Sequence, residues 1–400
     1  MSETTRTQVL IIGAGPAGLM ISQMLHNRGV ESVAIDIRTR EEIENTHRAG
    51  ILEAKAVRML EDENVSQRFR TDGYEHDGTD IRVRGISNRI SFKDLVGASV
   101  WLYPQTDVFI DLANARERDG GDVRFGVSDV ELLDGDSDNP GVRFTDAAGT
   151  TQEVRADFVV GSDGSRSICR ALIPGATQYF REYPFAWFGI MAEAPMSYDE
   201  LIYASSDRGF ALISQRTPTV QRMYLQCNPS DDMHNWSEDQ LWDEFQARVA
   251  GPDGFELKTG PIFERTLLPF RSFVQQPMQH GRVSLAGDAA HTVPPTGARG
   301  LNLALSDARV LAPPRLAEAA KANDPPAKLA DYEEIAVKRV WRAQNFSYWM
   351  TTMLHSLPDE NPFDRMRRLG GELEMVLGHE SGRRHLAEAY AGWPNEVDGL

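Results

Sequence analysis

Hydrophobic positions near the start of the chain alternate between strand-like and helix-like patterns. A β-branched and aliphatic run over residues 8–12 ends in glycines, a helix-compatible segment covers residues 17–27, and a second buried-type run covers residues 32–36. The two short apolar runs predict strands, and the longer segment between them predicts a helix. This order predicts a βαβ unit at the beginning of the chain.

Strand-like patterns continue through the middle of the chain. Turn residues at Asp134-Gly135 and Ala148-Gly149 separate short runs and predict a hairpin insertion. The predicted strands of this part cover residues 121–125, 142–145 and 152–160. From about residue 185 to residue 226, the spacing of aromatic and aliphatic residues is typical of a mixed-face sheet.

Helical signals take over after this sheet. Ser237, with Gln240 three residues later, has the spacing of a capping box and supports a helix over residues 241–249. After residue 281 the strand-helix pattern resumes, and from residue 325 onward the chain is rich in predicted helices. The chain therefore combines an α/β opening, a central sheet and a helical end.

Composition agrees with a globular protein large enough for two domains. Of the 400 residues, 41% are hydrophobic and 25% are charged. The 42 Lys and Arg residues against 59 Asp and Glu residues give a formal net charge of -17. This charge repels phosphate backbones and anionic membranes, so we expect neither nucleic acid nor a membrane as a partner. An anionic ligand must then be bound by local arginines.

The cysteines and the first apolar run carry little functional signal. Cys169 and Cys227 are the only cysteines and lie far apart in sequence, so neither a disulfide framework nor a thiolate metal site is indicated. The first apolar run has no signal-peptide character, and no window approaches 18 uninterrupted apolar residues. We expect a soluble cytoplasmic protein without a metal.

A glycine motif follows the first predicted strand. Gly13, Gly15 and Gly18 open the first predicted helix, and Asp36 ends the second strand. Glycines allow a tight turn and a close approach to a pyrophosphate, the helix N-terminus faces its negative charge, and an acid here accepts a ribose hydroxyl. A glycine turn in a loop is the alternative for the glycines alone, but the strand, helix and acid favour a dinucleotide site.

Two later motifs extend this fingerprint. Residues 159–170 (VVGSDGSRSICR) carry an Asp-Gly turn at a strand end, and residues 284–291 (SLAGDAAH) lead into residues 294–302 (PPTGARGLN). Together the three motifs resemble the signatures of the flavoprotein aromatic hydroxylases, and the resemblance spans nearly the whole chain. Further matching stretches are residues 47–50 (HRAG), 200–204 (ELIYA), 208–212 (RGFAL), 214–216 (SQR), 277–282 (PMQHGR) and 389–390 (AY).

The resemblance implies an α/β fold with a Rossmann-like FAD-binding domain, a mixed β-sheet substrate domain and a helical C-terminal region. Residues 1–180 and 271–400 would form the FAD-binding domain with the C-terminal helices, and residues 181–270 the substrate domain. The implied reaction is hydroxylation of 4-hydroxybenzoate to 3,4-dihydroxybenzoate with FAD, NADH or NADPH, and O₂, through a flavin C4a-hydroperoxide. The resemblance also implies a homodimer.

A benzoate in an enclosed site needs charge-assisted hydrogen bonds, since an unpaired buried ion is costly. Arg216 suits this role because its planar guanidinium binds a carboxylate bidentately, and Ser214 lies on the same strand face. A solvated surface arginine is the alternative for the spacing alone. By resemblance the other substrate contacts are Tyr203, Tyr224, Pro295 and Thr296.

Hydroxylation requires an electron-rich ring, yet an unperturbed phenol keeps its proton to about pH 10. The resemblance implies that Tyr203 bonds the substrate hydroxyl, that Tyr390 bonds Tyr203, and that His76 ends this proton chain toward solvent. The backbone carbonyl of Pro295 also faces the phenol in this family. A histidine that titrates near neutrality suits a proton outlet.

By resemblance the flavin contacts come from all three motifs. Asp288 holds the ribityl chain, amides after Pro295 face the flavin ring, and Arg222 helps to hold the flavin; a helix N-cap is the structural alternative for Asp288. The further cofactor residues are Gly13, Gly15, Gly18, Asp36, Arg48, Gln105, Asp163, Gly297, Leu301 and Asn302. The nicotinamide cofactor is assigned to Arg38, Arg48, Arg170 and Arg271.

Two departures from the family pattern bear on specificity. Residues 36–46 lack some basic and tyrosine positions of the NADPH-specific members and carry Glu41, Glu42 and Glu44 instead, which favours NADH. Met223 stands where an aromatic residue is common, on the strand face opposite to Tyr224, so we expect it to affect packing more than substrate choice.

Three alternatives compete with this interpretation. A hydroxylase of the same fold could take another para-substituted benzoate, such as an aminobenzoate or a dihydroxybenzoate. A disulfide reductase with the same glycine motif is opposed by the lack of paired cysteines. A flavin-binding sensor with a degenerate site would lack pocket residues, whereas the expected ones are all present.

Overall fold

The computed structural model describes residues 3–46, 48, 50–322, 329–358 and 360–394. His47 and Ala49, which belong to one of the matching stretches, lie outside the described residues. None of the described helices is long and apolar enough to cross a membrane.

Strands occur throughout the first three quarters of the chain. They are β1 (Glu3–Ile12), β2 (Ser32–Asp36), β3 (Ile51–Glu53), β4 (Tyr74–His76), β5 (Gly78–Val83), β6 (Arg89–Ser91), β7 (Val100–Leu102), β8 (Asp122–Phe125), β9 (Ser128–Leu133), β10 (Gly141–Thr145), β11 (Thr151–Gly161), β12 (Thr177–Ala192), β13 (Ile202–Ser206), β14 (Gly209–Thr217), β15 (Val220–Cys227), β16 (Ile262–Gln276), β17 (Gln279–His280), β18 (Val283–Leu285) and β19 (His291–Thr292).

Helices are short in the first part of the chain and long at its end. They are α1 (Pro16–His26), α2 (Arg40–Glu44), α3 (Ala54–Asp62), α4 (Phe69–Asp72), α5 (Phe92–Val96), α6 (Gln105–Arg118), α7 (Glu238–Val249), α8 (Arg299–Leu311), α9 (Ala317–Ala322), α10 (Ala330–Leu354), α11 (Pro362–Leu377) and α12 (Glu380–Tyr390).

The first sheet has eight strands, and its main path runs in the order β17-β18-β11-β1-β2-β8. The strands of this path are parallel except for the short β17, and β9 and β10 add antiparallel strands beside β11. Its central residues are buried on both faces, as Val9 to Ile12 of β1 show, because helices cover the two sides. The unit β1-α1-β2 confirms the predicted βαβ opening. The antiparallel strands β9, β10 and β11 confirm the hairpin insertion.

The second sheet has the order β19-β16-β12-β15-β14-β13-β5-β6 and is mostly antiparallel. Its two faces pack against different helices, because successive side chains of a strand point to opposite faces. Tyr224 joins the core beside α10 and α12, whereas Met223 joins the core beside α7. Met223 therefore lies away from Tyr224, as predicted.

A third, small sheet of β3, β7 and β4 joins the two larger ones. The predicted capping box is confirmed at α7. The Ser237 hydroxyl accepts the backbone N–H of Gln240, and the side-chain oxygen of Gln240 accepts the backbone N–H of Ser237. The helix-rich end is confirmed by α10, α11 and α12. The fold is the expected Rossmann-like sheet with a mixed sheet and C-terminal helices, while domain boundaries at residues 180 and 270 stay a prediction.

Candidate flavin and substrate site

The glycine turn after β1 is packed against the turn after β11. Gly13 has φ +102°, and a Cβ atom there would lie 2.3 Å from the carbonyl oxygen of Ser162. A Cβ atom on Gly18 would lie 2.0 Å from the carbonyl oxygen of Gly13. The Ser162 hydroxyl donates to that same oxygen at 2.7 Å. Only glycine fits these two positions. Ser162 was not predicted; its place just before Asp163 was the one available signal.

The N-terminus of α1 has room for an anion. Gly15 is its N-cap, and among the described residues no side chain caps the helix and none would lie within 4 Å of a Cβ atom on Gly15. The Asp36 carboxylate lies beside the turn and accepts the Ala14 amide at 3.0 Å and the Arg38 amide at 2.9 Å. Uncapped backbone amides at a helix N-terminus bind phosphate. Gly13, Gly15, Gly18 and Asp36 thus fit the pyrophosphate and ribose of FAD.

A second uncapped helix begins at the other end of the site. The N-cap of α8 is Ala298 with φ +52°, and no side chain caps the helix. Gly297 before it has φ +82°, and a Cβ atom there would lie 2.6 Å from the Phe346 ring. Leu301 and Asn302 lie in the first turn, where the Asn302 amide donates to the Ile51 carbonyl at 2.7 Å. The amides before α8 fit the electron-rich edge of a flavin.

The turns after β11 and β18 are tied together by Arg170. Its guanidinium donates to the carbonyls of Ser165, Asp288 and Ala289 at 2.7 to 3.0 Å. Arg271 is exposed and donates to the Ser165 hydroxyl at 2.6 Å. The structure thus gives Arg170 a bridging role between backbone turns, and its contact with the nicotinamide cofactor stays a prediction.

The two motif aspartates differ in their surroundings. One Asp163 carboxylate oxygen accepts the Ile168 amide at 2.7 Å, and the carboxylate also interacts with the buried Cys169 thiol. Burial raises the pKa of the Asp288 carboxyl, which the nearby arginines, Arg48 among them, oppose.

Asp307 of α8 supports the Asp288 turn and was missed by the sequence reasoning. It accepts the Gly287 amide and the His291 Nε2 atom, both at 2.7 Å. It is buried, and Leu303 and Leu311 flank it at the spacing of four that marks one helix face. A charge on an apolar helix face was the available signal.

The predicted substrate clamp lies on one face of the second sheet. Ser214 pairs with Arg222 and Leu212 with Tyr224 across β14 and β15, so strand alternation puts Ser214 and Tyr224 on that face. Arg216 lies at the register shift between Gln215 and Thr217, and its charge interactions with Arg222 and Tyr224 indicate that its guanidinium is near them. The Ser214 hydroxyl donates to the Arg222 carbonyl at 2.6 Å. The Arg222 guanidinium lies over the Tyr224 ring, 5.4 Å from its centre.

Arg216 is half-buried, and burial lowers the pKa of its guanidinium while the Asp107 carboxylate of α6 opposes that shift. An arginine keeps its charge in proteins in any case. Asp107, two residues after Gln105, was not among the predicted site residues. It provides negative charge near Arg216 in the absence of a substrate carboxylate.

Tyr203 and Tyr390 are brought together as expected. Their hydroxyl oxygens lie 2.8 Å apart, and each residue is 2% exposed. Burial raises the pKa of Tyr203 to about 12, although hydrogen bonds from Tyr390 and from the Gly297 amide oppose this. Tyr390 is held by stacking on Phe92 at 4.8 Å. The pair connects β13 with the end of α12.

The expectation that His76 ends the proton chain at solvent is wrong for this structure. His76 is 1% exposed, and its Nε2 atom bonds Gln215 at 2.8 Å rather than Tyr390. Burial lowers the pKa of His76 to about 4, against the pull of Glu200 and other acids. Its position on the three-stranded sheet behind Gln215 keeps it neutral and inside. Its part in proton transfer stays a prediction.

The loop before α8 holds the last predicted contacts. The Pro295 carbonyl accepts the Ala298 amide at 2.9 Å, which closes the loop. Thr296 is fully buried, and its hydroxyl accepts from Thr351 at 2.9 Å. Of the remaining cofactor residues, Gln105 begins α6 and the exposed Arg48 donates its amide to Thr106 at 3.3 Å.

Comparisons with known proteins agree with this geometry. The FAD binding domain family matches residues 6–347. The p-hydroxybenzoate hydroxylase of Acinetobacter baylyi is 40% identical over 401 residues, covering 100% of this chain and 98% of that protein. The rifampicin monooxygenase of Streptomyces venezuelae is 27% identical over 75% of this chain and 62% of its own length. A p-nitrophenol 4-monooxygenase from Pseudomonas putida shares the fold with a TM-score of 0.82 at 20% identity, covering 99% of this chain and 100% of that one.

Fold, site and matches define a class. The chain belongs to the FAD-binding aromatic monooxygenases, and within them to the family of p-hydroxybenzoate hydroxylase. This confirms the family resemblance and the flavin cofactor. The catalytic roles of the individual site residues stay predictions.

The glycine turn generates a test of cofactor binding. We expect the parent protein to purify yellow with one non-covalent FAD per chain. Gly18→Ala should raise the dissociation constant for FAD by about tenfold or more, or about 1.4 kcal/mol, because the new methyl group would meet the Gly13 carbonyl. Flavin fluorescence on titration measures this constant.

Gly370→Ala is the matched control, because its Cβ atom would meet nothing within 4 Å in α11. Circular dichroism establishes that both variants fold. Equal FAD affinity for Gly18→Ala and the parent would contradict the assignment of this turn.

Proposed function

We propose that this enzyme hydroxylates 4-hydroxybenzoate at position 3, using NADH or NADPH and O₂, and releases 3,4-dihydroxybenzoate and water. The observation that carries the proposal is the row formed by Tyr203, Leu212 and Tyr224 on adjacent strands of one sheet face. Arg216 lies on the same face of the middle strand. Residues of one sheet face can therefore bind both the carboxylate and the hydroxyl of the substrate.

The carboxylate end of the substrate is assigned to Arg216 and Ser214. The protein carries a net charge of -17, so an aromatic acid needs a local cation to bind. Arg216 provides this cation from a half-buried position, where its charge is screened less than at the surface. Its opposite charge Asp107 belongs to α6, and a substrate carboxylate would compete with it for the guanidinium.

The hydroxyl end is assigned to Tyr203 and Tyr390. The substrate O–H donates to the Tyr203 oxygen. Either hydroxyl of the Tyr203–Tyr390 pair can be the donor, so reversal of their hydrogen bond lets Tyr203 pass its proton to Tyr390 as it takes the proton of the phenol. Because burial raises the pKa of Tyr203 to about 12, this residue stays protonated at neutral pH and relays a proton rather than storing a charge. Loss of the proton makes the ring carbon beside the hydroxyl more nucleophilic.

Bound FAD would accept the hydride of the nicotinamide and activate O₂, and the protein residues orient the substrate for that chemistry. The cofactor residues that fit it are the glycine turn with Asp36, the Asp163 and Asp288 turns, and the amides before α8. The homodimer implied by the family resemblance stays a prediction, which light scattering measures.

A panel of aromatic acids tests the substrate. NAD(P)H oxidation and product formation are measured with 4-hydroxybenzoate, 4-aminobenzoate and 2,4- and 3,4-dihydroxybenzoate. We expect 4-hydroxybenzoate to give the highest kcat/KM and the dihydroxylated product, identified by chromatography. A higher kcat/KM for an aminobenzoate or a dihydroxybenzoate would replace the proposed substrate within the same reaction class.

Removing the clamp should weaken binding. Arg216→Ala is expected to raise the dissociation constant of 4-hydroxybenzoate by the equivalent of about 1.5 to 3 kcal/mol, the value of a hydrogen bond to a charged group. Titration of the flavin absorbance with substrate measures it. Arg208→Ala is the control. Arg208 lies in the turn before β14, the strand that carries Arg216, and forms an ion pair with Glu244 of α7. Unchanged affinity in Arg216→Ala would remove Arg216 from the site.

Removing the Tyr203 hydroxyl should uncouple the reaction. Tyr203→Phe is expected to bind substrate and to consume NAD(P)H, but to release H₂O₂ in place of product because the phenol keeps its proton. The ratio of product to NAD(P)H consumed is the measurement. Tyr183→Phe serves as control, because it removes another buried hydroxyl of this sheet, bonded to Ser272. Full coupling in Tyr203→Phe would contradict the proton chain.

The segment after β2 sets the expected nicotinamide preference. Arg40 is engaged by Glu44 at 2.6 Å and Glu117 at 2.9 Å, and Arg38 lies 3.5 Å from Asp36. The 2′-phosphate of NADPH would therefore meet arginines already paired with carboxylates, and Glu41 is exposed beside them. We expect kcat/KM for NADH to equal or exceed that for NADPH.

The measurement is kcat/KM for both nucleotides with saturating 4-hydroxybenzoate at two salt concentrations, because exposed charge effects weaken with ionic strength. Glu41→Lys should shift the ratio toward NADPH. A parent preference for NADPH above about tenfold, or about 1.4 kcal/mol of transition-state stabilisation, would show that the arginines outweigh the acidic residues.

A further inference from the structure

His355, the C-cap of α10, lies in a buried aromatic box behind the substrate face. It is 1% exposed, and its ring stacks on Phe185 at 4.7 Å and on Phe210 at 4.2 Å. Its Nε2 atom accepts the Trp187 indole N–H at 2.7 Å, and its Nδ1 atom lies 2.8 Å from the Thr351 carbonyl. Because an indole only donates, Nε2 carries no proton and Nδ1–H donates to Thr351. The neutral histidine thus links the Trp187 side chain to the Thr351 backbone.

One end of this box reaches both ends of the substrate site. Trp187 packs against Tyr224 with ring centres 4.9 Å apart, and it stacks on Phe210 at 5.4 Å. Phe210 in turn packs against Tyr203 at 6.2 Å. A shift of Trp187 would therefore move the side chains assigned to the carboxylate and to the hydroxyl of the substrate.

The other end of the box reaches the loop before α8. Thr351 lies one helical turn before His355, and its hydroxyl donates to Thr296 at 2.9 Å. Both threonines are fully buried. A threonine in a helix commonly bonds a carbonyl of its own preceding turn, as the neighbouring Thr352 does with Tyr348 at 3.0 Å. The Thr351 hydroxyl instead bridges two segments that are 55 residues apart in sequence.

We propose that Thr351 and His355 form a positioning turn that fixes the distance between the substrate sheet and the loop carrying Pro295, Thr296 and Gly297. Trp187 is the contact to the sheet, and Thr296 is the contact to the loop. Neither member of the turn touches the reacting atoms. They determine where the substrate ring lies relative to the oxygen-transferring edge of the cofactor, and this role rests on the proposed function.

Thr351→Val tests the turn because it removes one hydroxyl and keeps the side-chain shape. We expect the fraction of NAD(P)H whose electrons end in H₂O₂ to rise by about threefold to tenfold. This is the change in an equilibrium constant that the loss of one neutral hydrogen bond produces. The KM for 4-hydroxybenzoate should rise while FAD affinity stays near the parent value, and the melting temperature should fall by no more than the few degrees that the loss of one buried hydrogen bond costs. Thr351→Ser restores the hydroxyl and should restore coupling.

Thr352→Val is the matched control, since its hydroxyl donates to the carbonyls of Tyr348 and Trp349 in its own helix and to no other group in the described part of the chain. Trp187→Phe provides a second probe, which keeps an aromatic ring but removes the donor to His355. It should uncouple the reaction in the same direction as Thr351→Val.

Equal product coupling and equal KM in Thr351→Val and Thr352→Val would overturn the positioning turn. Failure of the parent enzyme to hydroxylate 4-hydroxybenzoate would contradict the proposed substrate instead. The same variants are then compared with the aromatic acid of the panel that the parent does hydroxylate, so the two failures are distinguished. Loss of FAD or unfolding at the assay temperature in Thr351→Val but not in Thr351→Ser would also overturn it, because the hydroxyl would then serve folding alone.

Discussion

The backbone contact between the turn after β1 and the turn after β11 is the constraint on which the site depends. Gly13 and Ser162 lie so close that a side chain on the glycine would clash with the Ser162 carbonyl, and the parallel register of β1 with β11 brings the two turns together. Because β11 also pairs with β18, this contact places three strand ends side by side. The three motifs therefore meet at the carboxyl edge of one sheet, where nucleotides bind in folds of this class.

Electrostatic forces act within this frame over short distances. The acidic surface gives the protein a repulsive field toward anions, yet arginines inside the protein lie where backbone carbonyls or carboxylates balance them. Arg170 binds three carbonyls and so stabilises turns, whereas Arg216 has Asp107 and Glu264 as nearby opposite charges. The two arginines therefore differ in the partner that an incoming anion would have to displace. These partners are backbone carbonyls at Arg170 and carboxylates at Arg216.

The sequence predicted those parts of the fold that local patterns determine. The βαβ opening, the hairpin insertion and the Ser237 capping box depend on neighbours within a few residues, and all three are confirmed. The long pairing of β12 with β16 joins residues from 99 positions apart, Thr177 with Gln276, to 70 positions apart, Ala192 with Ile262, and such distant pairing leaves no periodic pattern in the sequence. The predicted clamp residues share one face because strand alternation is local, but Asp107 comes from a different helix and was missed.

The same distinction explains the errors and omissions at the site. The contact between Tyr203 and Tyr390 was found only through family resemblance, since 187 residues separate the two hydroxyls. That resemblance placed His76 at solvent, whereas packing of β4 behind Gln215 buries it.

The loop before α8 shows why such long-range bonds matter. It lacks regular structure, but two residues of α10 contact it. The Phe346 ring packs against Gly297, and the Thr351 hydroxyl donates to Thr296, so helix α10 holds the backbone of the loop in place. A reacting ring must be held within fractions of an ångström, and here a distant helix provides the rigidity that the loop's own sequence does not.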